Sequence, residues 1–364
     1  MTNIKKIGLT ALAGSLVAVS ATAGEIAVTG SANITYVTGK AANGGKSIGT
    51  DKDVAFTGTG ELDNGYTFTV STLLTDAMVV SSSYTSVTMG SLGTVSFGAD
   101  TGGAAYKYDE EVPQAYEQTS DAQQNSANIV GNMNDSNMIV YNSPSFDLGG
   151  LTASFDLEYS PNASSTSSPA NDGGSATVNA ASTNNSDNYG DARGLGVTLG
   201  YDALKVGVYA AEIERTANAG NTVVNDAWEG VWYAKYSFGP VSIGYSESHL
   251  DSALPIAATA ATAAKTVRGA SGLFDSQSMS IAFNVNENLS VSYTETEDEY
   301  DAQGNTALNT DGIADVTMET EAMQIAYSMG AMSIKAYQMD TDNPGYDSNA
   351  ASTTDTEIAV GLAF

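Results

Sequence analysis

Carboxylates gathered in three stretches are the side chains of this 364-residue chain best suited to chemistry. Residues 100–136 carry Asp109, Glu110, Glu111, Glu117, Asp121 and Asp135, with Lys107 as the only basic residue of that stretch. The other two clusters are Glu295, Glu297, Asp298, Glu299 and Asp301, and Asp340, Asp342, Asn343 and Asp347. Such dense negative charge attracts cations, and its oxygens are the ligands that calcium prefers.

The two later clusters are the candidate metal ligands of the chain. Their members Glu297, Asp298, Glu299, Asp340, Asp342 and Asp347 can supply several of the roughly six to eight oxygens that Ca²⁺ takes. Neither cluster has the glycine and terminal glutamate spacing of an EF-hand loop. Solvated acidic loops are therefore the default interpretation, and calcium binding is the alternative.

Catalytic chemistry has little support in the sequence. His249 is the only histidine, and it lacks the partners that a zinc or general-base role requires. No Gly-x-Ser-x-Gly, His-Glu-x-x-His or phosphate-cradling motif occurs. We therefore expect no enzyme and no required cofactor.

The first 23 residues resemble a secretory signal peptide. Lys5 and Lys6 precede an uncharged apolar stretch over residues 7–19, and Ala21-Thr22-Ala23 is an A-x-A cleavage site. The sequence therefore predicts a cleaved signal over 1–23 and one mature domain over 24–364. Without Lys5 and Lys6, 11 basic residues face 42 acidic ones, a net charge of −31, which argues against a nucleic-acid partner. An exported chain without cysteine has no disulfide framework, so its stability must come from backbone pairing or a core.

Apolar and polar residues alternate along nearly all of the predicted mature chain, with the two-residue period of β-strands. The last nine residues are an example, because their alternate positions form one wholly apolar face: Ile358, Val360, Leu362 and Phe364. About sixteen such segments are separated by connections that alternate between short and long. This rhythm is typical of an antiparallel up-and-down transmembrane β-barrel with one plain end and one elaborated end. The acidic clusters at 295–301 and 340–347 are expected in long loops of the elaborated end.

Four features resemble the general diffusion porins of Gram-negative bacteria, which are trimeric sixteen-stranded barrels. They are the export signal; residues 90–98 (GSLGTVSFG), similar to the turn and strand before the third loop; residues 137–144 (NMIVYNSP) followed by 150–155 (GLTASF); and the terminal Phe364, similar to the signal read by the outer-membrane assembly machinery.

The resemblance implies a third loop, here Asp100–Ser136, that folds back into the pore and narrows it. Asp109, Glu110, Glu111, Glu117, Asp121 and Asp135 would then line the constriction and favour cations. Porins of this type set mostly arginines opposite the acidic loop. Strand parity here turns Lys205, Lys235 and Lys335 toward the lumen instead, with Asp53 and Glu61 also inward and Lys52 outward.

The resemblance also implies partners and a location. We expect a homotrimer in the outer membrane, in contact with lipid and lipopolysaccharide, that passes small hydrophilic solutes and cations. The polar fourth strand, with Ser82, Ser86 and Thr88, suits packing against partner subunits. Two alternatives stay open, a substrate-specific outer-membrane channel and a secreted, calcium-binding, β-rich adhesin.

Overall fold

The computed structural model describes residues 24–39, 45–99, 103–119, 138–161, 189–215, 226–251, 273–301 and 315–364. The predicted signal peptide and cleavage site lie outside these residues. No helix in the described part of the chain is long and apolar enough to cross a membrane.

The described chain is almost entirely strand. The strands are β1 (Ile26–Thr38), β2 (Lys46–Glu61), β3 (Thr67–Leu74), β4 (Val80–Thr88), β5 (Thr94–Ala99), β6 (Met138–Asn142), β7 (Phe146–Asp147), β8 (Leu151–Ser160), β9 (Tyr189–Tyr201), β10 (Leu204–Arg215), β11 (Ala227–Phe238), β12 (Val241–Asp251), β13 (Leu273–Asn284), β14 (Leu289–Asp301), β15 (Val316–Met329), β16 (Met332–Asp342) and β17 (Thr353–Ala363). Three short 3-10 turns cover Gly90–Leu92, Ala105–Lys107 and Pro344–Tyr346.

The strands form one closed antiparallel barrel. Each strand pairs with its neighbours in sequence, and β1 pairs with both β2 and β17, so no strand edge is left open. β6 and β7 both pair with β8 and are separated only by Ser143, Pro144 and Ser145, because proline interrupts the ladder. The two together make one wall strand, which gives the sixteen-stranded barrel expected from the sequence.

Burial along the strands is inverted relative to a water-soluble protein. On β13, Ser278 is 0% exposed and faces inward, whereas Ile281 is 49% exposed and faces outward. The same alternation continues on β14, where Thr294 is buried between the outward-facing Tyr293 and Glu295. Large exposed apolar side chains around the outside need an apolar surrounding, and the bilayer supplies it.

Short turns lie at one end of the barrel and long connections at the other. The β2–β3 turn contains Asn64 and Gly65; the Asn64 side-chain oxygen accepts from the Tyr66 N–H at 3.1 Å, and Gly65 has a φ of +81°. The predicted bounds of two long loops were wrong. β14 continues to Asp301 and β16 to Asp342, so the acids expected in loops are mostly strand residues.

The orientation expected for the fourth strand was also wrong. Ser82 pairs with Leu73, Ser86 with Thr69, and Thr88 with Thr67, all on the inner face. The outward polar residues of β4 are Ser83 and Thr85 instead. A shift in the β3–β4 register between Leu73 and Leu74 lies beside this stretch, which made its parity ambiguous in the sequence.

The C-terminal residue closes the barrel. Phe364 and Gly30 exchange both backbone hydrogen bonds, at 2.9 and 3.0 Å. A Cβ on Gly30 would lie 2.3 Å from the Phe364 ring, so only glycine at this position lets the ring lie against β1.

Candidate functional site

The candidate functional site is the inner wall of the barrel together with residues 103–119, which we call the inner segment. The inner segment follows β5, and its contacts with the described wall include β6 and β8–β17. It approaches the wall on the face that carries the buried polar residues, opposite to the exposed apolar face.

The first part of the inner segment is held by two carboxylates of β8. The Ala104 N–H donates to Glu158 at 2.7 Å, and the Tyr108 hydroxyl donates to Asp156 at 2.7 Å. Lys107 also donates to Asp156, at 2.6 Å. These bonds to charged acceptors fix the segment where it leaves β5.

Aromatic packing reinforces this attachment. The Tyr108 ring stacks on Tyr209 with centroids 5.5 Å apart and lies 6.3 Å from Tyr233. All three rings are fully buried, and the Tyr209 hydroxyl donates to Glu158. Burial raises the pKa of the Tyr108 phenol, so it remains a neutral donor to Asp156.

Wall glycines make room for the inner segment. A Cβ on Gly196 would lie 2.4 Å from the Tyr108 ring, and one on Gly244 would lie 2.4 Å from Cδ of Pro113. Any larger residue at these positions would push the segment away from the wall, so these glycines set its depth in the barrel.

The middle of the inner segment follows the wall from β13 to β15. The Ser280 hydroxyl donates to the carbonyl of Pro113, and the Ala115 N–H donates to Ser292 at 2.9 Å. The Tyr116 N–H donates to the side-chain oxygen of Gln324 at 2.8 Å, while the amide of Gln324 donates to the Glu117 carbonyl. The backbone of the segment is thus hydrogen-bonded to polar side chains of the wall.

Tyr116 anchors the far end of the inner segment. Its hydroxyl donates to Glu357 at 2.7 Å, and its ring lies 5.9 Å from that of Tyr337. Nζ of Lys335 lies 5.0 Å from the centre of the Tyr116 ring, a cation–π contact. Burial and the bond to Glu357 raise the pKa of the Tyr116 phenol, so this anchor also remains protonated.

The described acids of the predicted third loop differ in their burial and in their partners. Asp109 and Glu110 are 5% and 4% exposed, and Glu110 accepts from the Thr119 hydroxyl at 2.7 Å. Glu110 also has a φ of +38°, at a sharp bend of the segment. Glu117 is half-buried. Asp121 and Asp135 lie outside the described residues.

Glu111 lies between two of the wall lysines. Its carboxylate forms an ion pair with Lys235 and a longer one with Lys205, at 3.7 Å. Both ammonium groups also lie over the Tyr233 ring, at 5.5 and 5.6 Å from its centre. Two lysines against one glutamate leave this patch with a positive formal charge.

The candidate metal ligands are not brought together into a site. Glu297 and Glu299 point outward from β14, whereas Asp298 points inward and is 2% exposed. Asp340 and Asp342 point outward from β16, and Asp347 is exposed beyond it. Within the described ranges, no group of three or more His, Cys, Asp or Glu side chains has the geometry to hold a metal ion.

A second group of side chains fills the elaborated end of the barrel. Tyr346, from the β16–β17 connection, is fully buried and lies 5.3 Å from Phe274 and 5.9 Å from Tyr300, both inward residues. Ala192, Ile213, Ala227, Leu250, Val316 and Met318 complete this apolar cluster. It packs against the inner faces of β9–β15.

Several of these features were missed by the sequence reasoning. The carboxylates Asp156, Glu158 and Glu357 hold the inner segment, yet in the sequence they are ordinary inward strand residues. A signal was present in β9, where Gly194, Gly196 and Gly200 leave the inner face almost without side chains. Such a bare stretch indicates that something else packs there.

Sequence comparison now assigns the family. A family model of the Gram-negative porins matches residues 8–364, so the chain belongs to that family. The protein is accordingly an outer-membrane β-barrel of a Gram-negative bacterium, from a family of diffusion channels. None of the curated proteins matches the chain.

Solved porin structures share the fold at low sequence identity. OmpF of Salmonella typhi, solved with daunomycin, has a TM-score of 0.67 and 14% identity, covering 94% of this chain and 98% of its own. An anion-selective porin from Comamonas acidovorans has a TM-score of 0.62 and 16% identity, covering 94% and 100%. The trimer form of OmpT from Vibrio cholerae has a TM-score of 0.60 and 12% identity, covering 94% and 100%.

Proposed function

We propose that this porin is a water-filled channel for passive diffusion of small hydrophilic solutes, and that it prefers cations. The observation that carries the preference is the charge of the inner wall. Described strands turn ten carboxylates inward: Asp51, Asp53, Glu61, Asp147, Asp156, Glu158, Glu229, Asp298, Asp355 and Glu357. The inner segment adds Asp109, Glu110, Glu111 and Glu117, and the described bases facing them are Lys107, Lys205, Lys235 and Lys335.

This excess of acids is the reason to expect cations. Fourteen carboxylates against four lysines create a negative potential, which raises the local concentration of cations and lowers that of anions. The fold by itself does not decide the sign, since one similar barrel is an anion-selective porin. The side chains of this lumen are therefore the basis of the proposal.

The test is the reversal potential of detergent-purified protein in a planar bilayer across a KCl gradient. We expect the sign that corresponds to faster K⁺ than Cl⁻ permeation. A zero or anion-favouring potential would refute the cation preference and leave the channel itself in place. Conductance that saturates with one nutrient, and block by that nutrient, would favour the alternative of a substrate-specific channel.

We further propose a homotrimer with the outward face of β4 at the subunit contacts. The support is the trimer form of the similar OmpT and the small outward residues Ser83 and Thr85. Phe364, at the barrel seam, is the proposed signal for the assembly machinery, and lipid with lipopolysaccharide is the proposed surrounding. Cross-linking in native outer membranes tests the trimer, and only monomers would contradict it.

A further inference from the structure

The two halves of the barrel wall differ in how far their inner faces are covered. On β12–β15 the inward side chains are nearly all buried, for example Ser246 at 1% and Thr294 at 0% exposed. On β1 and β2 the inward Asn33, Asp51 and Glu61 are exposed, and Asp53 is partly exposed.

The covering groups explain this difference. The inner segment contacts β6 and β8–β17, and the Tyr346 cluster contacts the inner faces of β9–β15. Both therefore occupy the same half of the lumen. Among the described strands, β1 and β2 keep inward side chains such as Asn33 and Asp51 open to water.

The inward charges of the described residues on β1–β5 are all negative. The open half carries Asp51, Asp53 and Glu61, and none of these forms an ion pair with another described residue. Lys52, the base between Asp51 and Asp53 in sequence, lies opposite Ala32 in the strand register and points outward. The exposed charges of the covered half include the lysines around Glu111.

The strand register brings these charges near one another. Lys335 pairs with Ala359, which pairs with Thr35, and Thr35 pairs with Gly49, the inward neighbour of Asp51. Three strand spacings separate Lys335 from Gly49, which is about 14 Å along the wall. The lysine and the aspartates thus act on the same part of the lumen.

We propose that Asp51 and Asp53 of β2, rather than Asp109, Glu110 and Glu111 of the inner segment, set the ion selectivity, and that cations pass along the β1–β5 wall. This inference rests on the proposed cation preference. Distance from the water path decides which charges act, because the Debye length is about 10 Å at about 0.1 M. At that salt concentration a carboxylate acts on a passing ion only from within about that distance. Asp109 and Glu110 are buried, and Glu111 is compensated by Lys205 and Lys235.

The expected effect follows from the distance of closest approach. About 7 Å from one exposed carboxylate, in water at moderate salt, the local concentration of K⁺ rises roughly 1.6-fold and that of Cl⁻ falls by the same factor. One carboxylate then changes the permeability ratio about threefold, and two change it by roughly threefold to sevenfold if their effects partly overlap.

The experiment compares the K⁺/Cl⁻ permeability ratio of the full-length wild type with that of D51N/D53N. D340N/D342N is the matched control, because it removes two aspartates at the same spacing from the exposed outer face of β16. We expect the ratio to fall at least threefold in D51N/D53N and to stay unchanged in the control. A cation-selective wild type with an unchanged ratio in D51N/D53N would overturn the inference and leave the proposed function intact. A wild type without cation preference would overturn both.

A second measurement tests directly whether water-borne ions reach this part of the wall. The chain has no native cysteine, so D53C provides a single thiol for methanethiosulfonate reagents. We expect a cationic reagent to reach this thiol faster than an anionic one and to change the current through open channels. A thiol that neither reagent modifies would contradict the open β1–β5 path.

Discussion

Gly244 offers a test of how the inner segment is seated, because one added methyl group would meet it directly. In Gly244→Ala the new Cβ would lie 2.4 Å from Cδ of Pro113 and 3.2 Å from Cα of Val112. Ordinary carbon contacts are about 3.5–4.0 Å, so the segment has to move by about 1 Å or more. Overpacking of this kind costs about 1–3 kcal/mol.

The displacement has a direction. The methyl group grows from the wall, so it pushes the inner segment into the lumen and strains the hydrogen bond from Ala115 to Ser292. We therefore expect a lower thermal unfolding midpoint and a smaller single-channel conductance, measured by circular dichroism and in planar bilayers.

Gly58→Ala is the matched control, because a Cβ on Gly58 meets nothing within 4 Å. Alanine is preferred over glycine within a strand by about 0.5–1 kcal/mol, so this variant should be as stable as the wild type or more so, with unchanged conductance. The reasoning is refuted if Gly244→Ala matches Gly58→Ala in both measurements.

Two further changes test other parts of the barrel. Tyr116→Phe removes the hydroxyl that donates to the buried Glu357, at a cost of about 1.5–3 kcal/mol. We expect a lower unfolding midpoint and a noisier open-channel current than in the control Tyr201→Phe, which changes an exposed ring. Equal noise in both variants would argue against the anchor. Gly30→Val places a side chain 2.3 Å from the Phe364 ring and 2.9 Å from the backbone oxygen of Asp53. We expect a smaller yield of the folded, heat-modifiable barrel on gels than for Gly58→Val. Equal yields would show that the contact between β1 and Phe364 tolerates the added side chain.

The barrel could be predicted from sequence because its two faces obey one simple rule. Lipid on one side and polar contacts on the other impose the two-residue period on each strand, and Asn64-Gly65 and similar turns mark where the chain reverses. The ends of strands were harder to predict. Glu297 and Glu299 look like loop residues by composition, yet they continue β14 beyond the apolar band, where outward charges are tolerated.

The contacts across the lumen could not be predicted in this way. The inward position of Lys205, Lys235 and Lys335 follows from strand parity alone. Their partners, Glu111 and the rings of Tyr233 and Tyr116, depend on how a non-repetitive segment crosses the barrel. The sequence shows that Glu110 is acidic, but its bond from Thr119 depends on Thr296 of β14, which holds the Thr119 hydroxyl and is far away in the chain.

Conductance as a function of salt concentration tests the central claim, a water-filled pore through this barrel, most directly. Purified full-length protein would be added to a planar bilayer and single insertions recorded over a series of KCl concentrations. We expect discrete steps, in groups of three, whose conductance rises nearly in proportion to salt. A protein that inserts as a folded barrel but shows no steps, or steps that saturate at low salt, would contradict an open diffusion channel.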